Sequence, residues 1–72
     1  MDAKKSIETL QVFITALTGG AFTHLVQGKH FEALGFSKLA EKYIGHYEEE
    51  MDWVKKFMTR INDLGGEVKI EA

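Results

Sequence analysis

The side chains whose types and spacing best suit metal binding are three histidines, His24, His30 and His46, and the densest group of carboxylates, the run Glu48-Glu49-Glu50-Met51-Asp52. Imidazole and carboxylate together suit zinc, iron or manganese. The sequence has no cysteine, so it offers neither a thiolate site nor a disulfide. Within the acidic run, Glu50 differs from its neighbours. Phe36, Ala40, Tyr43, Tyr47, Glu50, Val54, Phe57, Ile61 and Leu64 recur at steps of three or four, the pattern of a helix face pressed on partner helices. Glu50 is the acid in the middle of that stripe. A carboxylate held away from water is costly unless it is paired, protonated or bound to a cation. Glu48, Glu49 and Asp52 fall off the stripe and read as a solvated face.

Two helical patterns must position these groups. The first carries Ile7, Leu10, Ile14, Leu17, Ala21, His24, Gly28 and Phe31 in phase, with Asp2 as N-cap, and predicts a helix over about 3–33. The second predicts a helix over about 37–64, with Ser37 as its N-cap. The connection Leu34-Gly35-Phe36 holds a glycine suited to a left-handed C-cap. So short a link makes the helices antiparallel, an αα-hairpin. Gly65-Gly66 ends the second helix by the same chemistry, and residues 67–72 read as an extended tail that docks on a neighbour. Gly19, Gly20 and Gly28 each cost about 1 kcal/mol relative to alanine in a helix interior. One continuous, bent helix is expected because the apolar steps stay in phase across them; a break at Gly19-Gly20 is the alternative. Gly28, on the stripe, suggests close helix–helix approach.

Antiparallel pairing about Gly35 sets His24 level with His46, and Leu17 level with Trp53. Glu50 falls between these levels, four residues from His46 on one helical face. His24, His46 and Glu50 thus form a candidate metal cluster, with Glu49 as a further carboxylate. The competing reading is a core His24 bonded to a carbonyl and a solvated His46. His30 has no evident partner and is expected at the surface. Met51 and Trp53 read first as packing residues.

The length of 72 residues suits one small all-α domain, and a net charge of −2 argues against a nucleic-acid partner. No segment reaches the length of a membrane span, and the apolar run from Val12 to Phe22 is too diluted for a signal peptide, so no membrane partner and a cytoplasmic location are expected. Both helices carry apolar faces wider than one shared seam, and chains this small need disulfides, metal or oligomerisation. The expected partner is a second copy, two hairpins forming a four-helix bundle.

The segments Leu34-Gly35-Phe36-Ser37-Lys38-Leu39-Ala40-Glu41-Lys42-Tyr43, Glu48-Glu49-Glu50-Met51, Arg60-Ile61 and Leu64-Gly65-Gly66-Glu67 resemble the first helical hairpin of the ferritin-like superfamily, bacterioferritins above all. The likeness covers about Gln27 to Ile70, and the first helix by pattern. It implies a four-helix bundle that binds and oxidises iron, with a glutamate from the first helix and a Glu-x-x-His pair from the second. The glutamate of that pair matches Glu50, but its histidine position is Trp53, and the first-helix glutamate position falls on or beside Leu17. Ferroxidase activity is therefore implied only with an incomplete ligand set. Met51 matches a methionine that ligates haem in bacterioferritins; Glu-Met also occurs in relatives without haem, so iron and not haem is the expected cofactor. The sequence reads as half a ferritin, completed by a second copy or representing a piece of a longer protein. The expected function is metal binding, with iron first, in a homo-oligomeric bundle whose site is rearranged. The alternative is a metal-free structural or interaction module that kept the bundle and lost the chemistry.

Overall fold

A computed structural model describes residues 2–71 as two antiparallel helices, α1 (Ala3–Ala33) and α2 (Ser37–Asp63). Asp2 caps α1 as expected, its carboxylate accepting from the Lys4 backbone N–H at 3.0 Å. At the other end Gly35 takes φ +83°, and the Phe36 N–H donates to the Phe31 carbonyl at 2.9 Å while the Gly35 N–H donates to Glu32 at 3.0 Å. This is the Schellman arrangement, completed by the Phe31 and Phe36 rings in edge contact at 6.4 Å. Gly65 (φ +82°) repeats it after α2, with Gly66 donating to Ile61 and Gly65 to Asn62, both at 3.0 Å.

Ser37 is not the N-cap of α2. The cap position is Phe36, which makes no side-chain cap bond, and Ser37 is the first helical residue. The preceding Schellman turn commits Phe36 to both roles, leaving no residue between turn and helix for a hydroxyl cap. α1 runs unbroken through Gly19-Gly20. That continuity also revises the membrane reading: α1 is long and apolar enough, by length and composition, to cross a membrane. Threonines, glycines and Gln11 interrupt any run of apolar residues in the sequence, whereas a continuous helix averages over them.

The helices meet along Ile14, Ala21 and Gly28 of α1 and Ala40, Val54 and Ile61 of α2, all buried. At the loop end the approach is backbone to backbone. A Cβ added to Gly28 would lie 2.6 Å from Ile44 Cγ1 and 3.2 Å from the Ile44 nitrogen. At the open end Ile14, Val54 and Ile61 form the core, with Leu10, Leu17, Met51, Phe57 and Met58 against it.

The tail after Gly66 docks on α1 of its own chain, not on a neighbour. Gln11 is the reason. Its side-chain amide accepts from the Lys69 N–H at 2.9 Å and donates to the Lys69 carbonyl at 3.1 Å, so one side chain does for the tail what a neighbouring strand's peptide would do. Thr15 donates to the Glu71 carboxylate at 3.2 Å, and Val68 packs on the core. Ala72 lies outside the described residues.

Candidate metal centre

Glu50 projects from the middle of α2 toward α1, and its oxygen Oε1 lies 2.5 Å from His24 Nδ1. The two side chains are 23% and 32% exposed, so the pair is shielded without being sealed. An ionised carboxylate only accepts, so the imidazole Nδ1–H donates and Nε2 keeps its lone pair if the ring is neutral. Gly20 makes room for this geometry: a Cβ there would stand 3.3 Å from the second oxygen of Glu50, Oε2. Two residues of α1, a glycine and a histidine, therefore accommodate and hold the carboxylate that α2 supplies.

His46 lies one turn before Glu50, and its ring centroid is 5.5 Å from that of His24. His46 is exposed. Glu49 is exposed on the outer side of α2, away from the pair, and His30 is exposed as well. Met51 turns inward and packs on the Ile14–Val54–Ile61 core. The structure thus brings His24 and Glu50 into contact, holds His46 beside them, and leaves Glu49 apart.

Aromatic rings line the same face above and below the pair. Phe31 stacks on Tyr43 at 5.3 Å, and Tyr43 leads to His24 at 6.0 Å. On the other side Trp53 meets Phe57 at 5.9 Å, and Phe57 meets Phe13 at 6.1 Å. His46, Glu50, Trp53 and Phe57 step by four, three and four, which is one helical face. Toward the open end this face deepens into a groove of about 480 Å³ between Leu10, Leu64, Lys5 and Arg60, with no carboxylate or imidazole lining it. It is unfilled helix–helix seam, distant from the chemistry.

The family model for the ferritin-like domain matches residues 8–72. This chain belongs to the ferritin-like family. No curated protein and no solved structure matches it. As a ferritin-like domain it departs from the two-iron ligand set: Leu17 packs against the core and Trp53 is half-exposed beside Phe57. Among the described residues no group of three or more His, Asp or Glu side chains converges on one point. The residues present do not fit a two-iron centre. What they offer is one carboxylate and one imidazole in contact, with a second imidazole nearby. Gly20 is the residue beside this pair that sequence reasoning missed, and Gln11, which holds the tail and not the site, was missed as well. Gly20 carried a signal, an unexplained glycine one turn from His24; Gln11 looked like any polar surface residue.

Proposed function

We propose that this ferritin-like domain binds a transition-metal ion, iron first, at Glu50, His24 and His46, in a homo-oligomeric four-helix bundle. The observation that carries the reading is the His24–Glu50 contact, which joins an imidazole and a carboxylate from different helices on a face left uncovered. Glu50 is also the one position where the family's ligand pattern survives, and ferritin-like proteins often bind iron. Two or three donors from one chain leave coordination positions open, and a second copy pairing through the same face would supply its own Glu50 and His24. Ferroxidase chemistry would need that second carboxylate.

A specific observation favours the metal-free reading too. His24 already satisfies Glu50, so the carboxylate needs no cation to explain its place. Titration separates the two. Ferrous iron and zinc are added to the protein while heat and Trp53 fluorescence are followed, since Trp53 lies one turn from Glu50. Stoichiometric binding that disappears in Glu50→Ala is the expected result. Absence of stoichiometric binding to the unaltered protein sinks the metal reading and leaves the structural module.

A further inference from the structure

The glutamate that survives from the family's ligand pattern does not stand free to bind an ion. Both of its oxygens lie against α1. Oε1 is 2.5 Å from His24 Nδ1, and Oε2 is 3.3 Å from where a Cβ on Gly20 would stand. Gly20 and His24 are four residues apart, so the carboxylate covers one turn of a single α1 face. The residues at the family's other ligand positions have turned elsewhere: Leu17 packs on the core and Trp53 on Phe57. Glu50 is committed to an imidazole instead.

The consequence falls on His24. A carboxylate accepting from Nδ1–H fixes which nitrogen carries the proton, and leaves the Nε2 lone pair open. It also fixes the orientation of the ring. Metal-binding histidines are held in this way, with a carboxylate behind the ring that raises its basicity and does not itself touch the ion.

His46 offers the second nitrogen. It is exposed, and among the described residues no hydrogen bond holds its ring. Its ring centre is 5.5 Å from that of His24. An ion about 2.1 Å from each imidazole nitrogen stands about 3.2 Å from each ring centre, which sets the centres about 5.2 Å apart at the tetrahedral angle. The observed spacing is close to that of two imidazoles sharing one ion. Among the described residues no group of three His, Asp or Glu side chains converges there, as expected if Glu50 stands behind His24 and water fills the remaining positions.

We infer that Glu50 is a positioning residue and not a ligand: it holds His24 so that Nε2, together with His46, binds a single divalent ion. The inference rests on the metal-binding reading above and changes the part that Glu50 plays in it. Imidazole nitrogen suits zinc, so zinc alone is the probe.

One test needs no metal. In the metal-free protein at alkaline pH, where imidazole is neutral, long-range proton–nitrogen NMR is expected to show His24 as the Nδ1–H tautomer. Glu50→Gln should keep that tautomer, because the amide oxygen accepts the same bond, and Glu50→Ala should lose it. An Nε2–H tautomer at His24 in the unaltered protein overturns the inference. Zinc titration by calorimetry then separates ligand from support, with helicity of each variant checked by circular dichroism. His24→Ala and His46→Ala should each weaken binding by more than about a hundredfold, whereas Glu50→Gln should cost about tenfold, the low end for an outer-shell partner. Glu50→Ala releases the ring and ends stoichiometric binding under either role, so glutamine is the deciding variant. Glu50→Gln as damaging as His46→Ala makes Glu50 a direct ligand, which overturns the inference and leaves the metal site standing. No zinc binding to the unaltered protein overturns the metal reading and this inference together.

Discussion

Taking the imidazole away from Glu50 should cost more than taking away both groups. His24 donates to a carboxylate that is three-quarters shielded, and a shielded acceptor left without its donor loses about 1–3 kcal/mol. His24→Leu is therefore expected to lower the unfolding free energy by about 1–2 kcal/mol, since Glu50 keeps some access to water. In a Glu50→Leu background the same change should be neutral or stabilising, because no carboxylate is then stranded. A double-mutant cycle by urea unfolding measures the coupling, and additive effects would show that the contact contributes nothing. At this scale the sequence was half legible. Glu50 was conspicuous because it broke an apolar stripe, and the level rule for an antiparallel hairpin brought His24 and His46 near it. That Glu50 leans on His24, and that Gly20 clears its path, depends on side-chain directions that spacing alone does not fix.

Between the helices and the tail, the decisive group is an amide. Gln11 holds both backbone polar groups of Lys69, and the held tail brings Val68 onto the core. Gln11→Ala removes two hydrogen bonds worth about 1 kcal/mol each. The expected outcome is a loss of about 1–2 kcal/mol together with fast hydrogen exchange at the Lys69 amide; Lys69 protection equal to wild type would show that Val68 alone anchors the segment. The helices themselves follow from periodicity and from two glycines in the left-handed region, Gly35 and Gly65, whose chemistry is local. The N-cap of α2 and the docking of the tail were misjudged for one reason. Each is settled by which neighbour reaches a backbone group first, the turn at Phe36 in one case and a glutamine 58 residues away in the other.

As a whole the molecule is a rod of 49 × 19 × 14 Å with a radius of gyration of 14.8 Å, against about 11 Å for a compact domain of this length. Two helices give one seam, and Phe13, Leu39 and Trp53 stay exposed on the face that carries the His24–Glu50 pair. A face of 49 × 19 Å offers roughly 900 Å² per copy, close to the ~800 Å² per partner of a standard interface. Equilibrium sedimentation should find an assembled species at micromolar concentration, shifted toward monomer by Trp53→Lys; a stable, folded monomer of the unaltered chain would contradict this account. The three-and-four periodicity and the paired glycine turns determined by themselves that the chain is an antiparallel helical hairpin, because helices, caps and short turns are local and repeat their signals in sequence. Only the tertiary structure decided what Glu50 touches, where the tail lies and which faces remain bare. Those outcomes depend on which of several chemically adequate partners arrives within bonding distance, and distance in space is what a sequence does not carry.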